Sequence, residues 1–232
     1  MTTRPTDDPF RMGKAYTVRE AAKLAKTSPA TVGRWLKGYD APGRHMEPVF
    51  GEREKPAKGE AMQVSFLELI EIAVAVRFRT DETQDLTLDR VRRAHTFARK
   101  TWSVPFPFAT MDFKLYGGHI MHEFEDAEPG RGHMAFDMGG QWALPGMVKE
   151  VVVAIDFEST DQYAARWFPY GREANVVVDP HLAAGRPAIV GTRIPISAIR
   201  GRFEAGESIH YLARDYSLKV AVVEDILRLP AA

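Results

Sequence analysis

The sequence predicts an α+β protein with an N-terminal helix-turn-helix and a helical extension, a small antiparallel sheet in the middle, and a C-terminal three-helix domain that is itself helix-turn-helix-like. Apolar residues recur every three or four positions in residues 15–37, 65–102 and 196–228, which is the helical period. Between them, short runs of β-branched and aromatic residues are interrupted by glycine and proline, which favours strands. At 232 residues and 45% hydrophobic, the chain has room for two or three small domains.

The changes of pattern along the chain divide it into five parts. These are a flexible N-terminus at 1–14, a helix-turn-helix with a wing or loop at 15–62, a helical connector at 63–102, a small antiparallel β region at 103–174, and a C-terminal domain at 175–232.

The composition excludes cysteine-based sites, and the distribution of charge favours a polyanionic partner. The chain has no cysteine, so neither a disulfide framework nor a thiolate metal site is possible. It has no run of eighteen apolar residues and no signal peptide, so we expect a cytoplasmic protein with no membrane partner. The zero net charge hides an asymmetry, because residues 1–100 hold 19 Lys and Arg against 14 Asp and Glu, whereas residues 101–232 hold 12 against 17. This contrast favours a polyanion as partner of the first half.

Residues 15–37 predict two short helices joined by a tight turn. Thr17 is a suitable N-cap and Glu20 follows at the spacing of a capping box. Ser28 then caps the second helix, with Pro29 at its first position. The apolar residues predicted to pack inward from the second helix are Val32, Trp35 and Leu36.

The outer face of the second helix has a composition that suits the major groove of DNA. The predicted DNA-contacting residues of this helix are Ser28, Thr31, Arg34 and Lys37. Residues 38–61 are rich in glycine, proline and charge, and we expect a loop or hairpin there that acts either as a wing or as a solvated linker. As a wing it would contact phosphates through Arg44, Lys55 and Lys58.

The order of cap, turn, proline and aromatic residue in TVREAAKLAKTSPATVGRWLK resembles the helix-turn-helix of MerR-type and excisionase-type DNA-binding domains. The resemblance covers about twenty residues and implies binding to double-stranded DNA. The alternative is an ordinary helical hairpin in which Trp35 is simply part of the core.

Two further helices are predicted between Ser65 and Trp102. The first has an apolar face, from Phe66 to Phe78, that is broader than a lone surface helix needs, so we expect it to be underburied in a monomer and to favour a homodimer. The second has an arginine-rich outer face that either is solvated or adds contacts to the DNA backbone, and its arginines are Arg90, Arg92, Arg93 and Arg99.

The middle of the chain predicts strands. Residues 111–124 fit a hairpin about Gly117–Gly118, because that register places nearly all the apolar side chains on one face. Further strands are expected from near Val151, at 163–168 and at 176–178. A small-molecule sensor in this sheet would be lined by Phe113, His122, Trp142 and Trp167.

Residues 175–229 resemble the bacterial family called domain of unknown function 433. The shared pattern includes Asp179-Pro180, Gly185-Arg186-Pro187 and Gly191-Thr192-Arg193-Ile194-Pro195. The segment also predicts three helices, with Ile196, Ile199 and Phe203 facing inward from the first. The arginines expected to project from these helices towards a partner are Arg200, Arg202 and Arg214.

The combination of these two regions resembles the antitoxins of VapBC-type modules, whose toxin is a PIN-like ribonuclease. That resemblance implies a protein that binds its own promoter as a dimer and masks the acidic, metal-binding site of the toxin. The histidines are scattered and no motif of a metalloprotease, dinucleotide site or phosphate-binding loop is present, so we expect no catalytic residues, no bound metal, no cofactor and no enzymatic activity. The rival hypothesis is a MerR-like regulator with a small-molecule sensor, which an enclosed apolar pocket in the middle region would favour, whereas an open groove or strand edge near the C-terminus would favour the antitoxin.

Overall fold

The computed structural model describes residues 8–51, 56, 60–80, 86–138 and 141–230. Its α-helices are α1 (Pro9–Met12), α2 (Val18–Leu24), α3 (Pro29–Lys37), α4 (Phe66–Thr80), α5 (Leu88–Trp102), α6 (Met111–Ala127), α7 (Gly146–Val153), α8 (Ile196–Glu204), α9 (Ile209–Asp215) and α10 (Val220–Arg228). Its strands are β1 (Tyr16–Thr17), β2 (Tyr39–Ala41), β3 (Arg44–Met46), β4 (Gln63–Val64), β5 (Phe136–Asp137), β6 (Trp142–Ala143), β7 (Ile155–Phe157), β8 (Ala164–Trp167), β9 (Val176–Val177) and β10 (Ala188–Ile189).

The strands pair two by two in antiparallel ladders. The pairs are β1 with β4, β2 with β3, β5 with β6, β7 with β8, and β9 with β10. Helices combined with small antiparallel ladders make an α+β fold, which confirms the predicted class. In the described part of the chain, no helix is both long enough and apolar enough to cross a membrane.

The helices α2 and α3 form where the sequence predicts them, and their caps explain why. The capping box of α2 is complete, because the Thr17 hydroxyl accepts from the Glu20 amide at 3.2 Å and the Glu20 carboxylate accepts from the Thr17 amide at 2.8 Å. The Ser28 hydroxyl caps α3 by accepting from the Thr31 amide at 3.0 Å. The inward residues of α3 are buried as predicted, namely Val32, Trp35 and Leu36.

Helix α4 lies at the centre of the molecule. Its apolar side chains are no more than 2% exposed, and it packs against α1, α2, α5 and α7 of the same chain. The expectation that its broad apolar face is underburied in a monomer is therefore wrong, because the chain covers that face itself. The one buried carboxylate of α4, Glu71, accepts from the Phe108 amide at 2.8 Å and contacts the Nε2 atom of His95.

The predicted hairpin about Gly117–Gly118 is wrong, since residues 111–127 form the single helix α6. Thr110 caps this helix. The buried residues of the helix recur at helical spacing, although the apolar residues of the same segment also fit the alternation of a strand. Both glycines lie inside the helix and are buried. A Cβ atom at Gly118 would overlap the backbone of Trp142, so this glycine permits a close approach of α6 to β6 and does not form a turn.

The rest of the middle region also departs from the predicted sheet. Residues 146–153 are helical, and the strand expected from near Val151 begins only at Ile155. Val148, Val151 and Val152 of α7 are buried whereas Val153 is exposed, and this one-sided burial fits a surface helix better than a strand buried on both faces. The strands β8 and β9 do fall within the runs predicted at 163–168 and 176–178.

Residues 1–7 of the predicted flexible N-terminus lie outside the described residues, and from Asp8 onwards the segment contacts the rest of the chain. Asp8 caps the short helix α1 and accepts from the Nε atom of Arg11 at 2.7 Å. The buried guanidinium of Arg11 also donates to both carboxylate oxygens of Asp161, at 3.0 and 2.5 Å. This bidentate ion pair fixes the segment against the loop between β7 and β8.

Two hydrophobic cores share strand β9. The larger core includes residues from Tyr16 to Val178, and the smaller core includes Val176 and the inward residues of α8, α9 and α10. Successive side chains of a strand point to opposite faces, so Val176 enters the smaller core while Val177 enters the larger one. A further link is the buried Tyr16 hydroxyl, which donates to the carbonyl of Gly185 at 2.8 Å.

A pair of glycine substitutions tests the close approach of α6. Gly118→Ala should lower the free energy of unfolding by about 1–3 kcal/mol, because the new methyl group meets backbone that has to move. Gly33→Ala is the matched control, since no atom lies within 4 Å of a Cβ there, and it should raise the free energy by about 0.5–1 kcal/mol. Urea denaturation measures both, and a Gly118→Ala protein as stable as the parent would contradict the packing described.

Candidate nucleic-acid interface

The outer face of α3 carries the residues that the sequence selects for DNA contact. Ser28, Arg34 and Lys37 are exposed and Thr31 is half-exposed. The hydroxyls of Ser28 and Thr31 lie 2.8 Å apart and share a hydrogen bond. The guanidinium of Arg34 lies over the ring of Tyr39, with Cζ 5.6 Å from the ring centroid, and this contact orients the arginine beside the helix.

Strands β2 and β3 form a hairpin directly after α3, within the segment predicted as a loop or hairpin. Arg44 is exposed and pairs with Ala41 in its register. On the same hairpin, Nδ1 of His45 lies 2.7 Å from the carboxylate of Asp40, and this hydrogen bond raises the pKa of His45. Lys55 and Lys58, the other predicted phosphate contacts, lie outside the described residues.

A surface cleft of about 350 Å³ adjoins α3 and contains a cation that the sequence analysis did not select. Arg79, at the end of α4, lines this cleft together with Thr31, Arg34 and Tyr39. Arg79 is exposed. The sequence pattern shows a cation in the last turn of an apolar helix, but it does not show that this turn ends beside α3.

Three of the four arginines of α5 make contacts within the chain, whereas the sequence predicts an outer face that is solvated or contacts DNA. Arg90 is buried, donates to the carbonyl of Glu128 at 2.9 Å, and lies over the ring of Phe124. Arg92 pairs with Asp89 at 2.9 Å, and Arg93 pairs with Glu128 at 2.7 Å. Arg99 remains exposed.

Two of the three arginines predicted to project from the C-terminal helices are occupied. Arg200 donates to the carbonyls of Ile226, Leu229 and Pro230, and so satisfies the carboxyl end of α10. Arg202 pairs with Glu207 and Asp215, whose hydrogen bonds raise its pKa. The expectation that Arg200 and Arg202 point freely outward is therefore wrong.

Arg214 is exposed and lies over the ring of Tyr211, with Cζ 5.3 Å from the centroid, so it retains the outward position that the sequence predicts. Phe203, which the helical pattern places inward, is 42% exposed and lies outside the smaller core. Helix α8 therefore buries only Ile196 and Ile199.

A second cleft, of about 600 Å³, separates α2 from the C-terminal domain. Its lining includes Arg19 and Lys23 of α2, Arg186 and Arg200 of the C-terminal domain, and apolar residues such as Ile196. Sequence reasoning did not identify this site. The only signal was the spacing of Arg19 and Lys23, which places them on one face of a helix. The opposite wall comes from residues far away in the chain.

The four side chains proposed to line a sensor pocket pack against other side chains of the protein. Phe113 and Trp167 are buried in the larger core. The ring of His122 stacks on Trp142 with centroids 3.6 Å apart. Among the described residues there is no group of three or more His, Cys, Asp or Glu side chains that could hold a metal ion.

Comparison with known proteins is consistent with this architecture. Residues 176–228 match a family model described as "Protein of unknown function (DUF433)". Two proteins of Mycobacterium tuberculosis (strain ATCC 25618 / H37Rv) are similar over nearly the whole chain. One is named "Putative antitoxin VapB45" and is 24% identical over 230 residues, covering 94% of each chain. The other is "Uncharacterized protein Rv2308", which is 25% identical and covers 92% of this chain and 89% of its own.

The crystal structure of Rv2018 from Mycobacterium tuberculosis has the same fold. It superposes with a TM-score of 0.75 at 23% identity, covering 92% of this chain and 97% of that one.

The Asp40–His45 pair makes the hairpin sensitive to pH. The pKa of His45 is raised from 6.5 in the folded protein, so protonated His45 stabilises the folded state through its contact with Asp40. This stabilisation is fully present below pH 6.5 and is lost as the pH rises through the pKa of His45 in the folded protein. An NMR titration should give a pKa above 6.5 for His45 in the parent and a lower one in Asp40→Asn. Identical titration curves in the two proteins would show that the ion pair does not form.

Proposed function

We propose that this chain is a DNA-binding antitoxin of a VapBC-type toxin–antitoxin module. It binds its own promoter as a homodimer in the cytoplasm and neutralises a PIN-like ribonuclease, without catalytic activity of its own. The observation that carries the DNA-binding part is the outward row of polar residues on α3. The relative named as an antitoxin supports the module, because it aligns with 94% of this chain and therefore shares both of its regions.

In this proposal α3 acts as the recognition helix of a MerR-like helix-turn-helix. Its inner side is anchored by Trp35 and Leu36, so the outer side is free to enter the major groove. Arg34 is suited to a bidentate contact with a guanine, because its guanidinium presents two parallel donors. Arg44 on the hairpin and Arg79 at the end of α4 flank the helix and would contact phosphates, which supply affinity without sequence selection.

A dimer would place two copies of α3 on paired half-sites. The buried helix α4 cannot supply its interface. The exposed aromatic residues of the C-terminal domain are better placed, since Phe203 is 42% exposed and Tyr211 is 45% exposed. We therefore assign the dimer contact to the α8–α9 side of the molecule.

Substitution of Arg34 tests the DNA-binding part. Arg34→Ala should weaken binding to the DNA upstream of the chain's own reading frame by about 1–3 kcal/mol and should relax selectivity at one base pair. Arg44→Ala should instead weaken binding to all sequences alike and reduce the slope of log K against log salt concentration by about 1. Fluorescence anisotropy at several salt concentrations separates the two effects.

The matched control is Arg228→Ala, because that side chain is 71% exposed at the far end of α10 and has no proposed role in DNA binding. It should bind DNA as the parent does. If Arg34→Ala and Arg228→Ala both retain the affinity and selectivity of the parent, α3 is not the recognition helix.

A further inference from the structure

The cleft between α2 and the C-terminal domain, here called the α2–α8 cleft, has a preformed shape. One wall is α2 and the other is formed by residues 184–187 with the first turn of α8. The Tyr16 hydroxyl bonds to Gly185 at 2.8 Å beneath it, and a Cβ atom at Gly185 would crowd that hydroxyl. Because the walls are already fixed to each other, a ligand would not have to order them on binding.

The cleft is strongly cationic. Four cations line it, namely Arg19, Lys23, Arg186 and Arg200, against a single carboxylate, that of Glu20. The carboxylate of Glu20 is already engaged, because it accepts from both the amide and the hydroxyl of Thr17 at 2.8 Å. Arg200 is also engaged, as it caps α10, but its charge remains at the rim.

Two of these cations have no partner. Arg19 and Arg186 are exposed, and neither guanidinium makes a hydrogen bond or ion pair with any residue in the described ranges. Arg19 belongs to α2 and Arg186 to the segment 184–187, and both line the cleft. Two unpaired arginines that line one recess are suited to receive carboxylates, with which a guanidinium forms paired hydrogen bonds.

The floor of the cleft is apolar. It is lined by Leu24, Pro187 and Ile196. A DNA duplex contacts cations on open surfaces and gains nothing from a recessed apolar floor, whereas a peptide can insert an apolar side chain between its charged neighbours. The combination of arginines and apolar floor therefore favours an acidic peptide over a nucleic-acid backbone.

We propose that the α2–α8 cleft binds an acidic peptide segment of a protein partner, with an apolar side chain of that segment on the floor and its carboxylates on Arg19 and Arg186. We assign this peptide segment to the toxin, and that assignment rests on the proposed function. The cleft, whose lining includes Arg200, is then the site that recognises the toxin, and neutralisation involves both regions of the chain.

A double charge reversal tests this assignment. The variant is Arg19→Glu with Arg186→Glu, and the matched control is Arg131→Glu with Arg228→Glu, which changes the net charge equally at exposed arginines outside the cleft. The first probe is a fluorescein-labelled hexapeptide in which two leucines are flanked on each side by two acidic residues. The second probe is the proposed toxin, a PIN-like ribonuclease. Circular dichroism confirms that both variants are folded.

The cleft variant should lose at least tenfold in affinity for the hexapeptide and for the ribonuclease, whereas the control variant should bind both as the parent does. Equal binding by the two variants would overturn the assignment while leaving the proposed function intact. The cleft variant could instead bind the peptide normally but lose more DNA affinity than the control variant does. That result would overturn the assignment and would show that the cleft arginines contact DNA phosphates. If the parent does not bind the ribonuclease at all, the proposed function fails, and the hexapeptide alone then decides whether the cleft takes acidic peptides.

Discussion

The burial of α4 is the constraint on which the remaining structure depends. A helix with so broad an apolar face can be stable in water only if other elements cover that face, and here α1, α2, α5 and α7 do so. Its single buried carboxylate, Glu71, is retained because the Phe108 amide and His95 satisfy it; an unpartnered charge there would cost several kcal/mol. The helical pair α2–α3 is thus docked on a rigid support, and its outer face is free for binding.

The junction at Tyr16 extends this rigid body to the C-terminal domain. The strand β9 contributes side chains to both cores, and the Tyr16 hydroxyl is held by Gly185 from the other side. Burial of this hydroxyl raises its pKa, so it remains a neutral hydrogen-bond donor. The proposed DNA-contacting helix α3 and the α2–α8 cleft are therefore fixed relative to each other. A partner bound in the cleft would contact α2, which packs directly against α3.

The features that sequence could predict are those set by local chemistry. The caps at Thr17 and Ser28 determine α2 and α3, and the residues that form them are neighbours in the chain. The errors share a different cause, namely a remote partner. Gly118 looked like a turn because the backbone of Trp142, which requires a small residue there, is distant in sequence. Arg200 looked free because the carbonyl groups it binds lie at the end of α10, and the α2–α8 cleft was invisible because its walls come from opposite ends of the chain.

The most direct test of the antitoxin role is growth of a bacterial host in which the proposed toxin, a PIN-like ribonuclease, is induced alone or together with the full-length chain. The ribonuclease alone should arrest growth, and co-expression of the chain should restore it to the rate of uninduced cells. Persistent arrest in cells that accumulate the folded chain would contradict the antitoxin role.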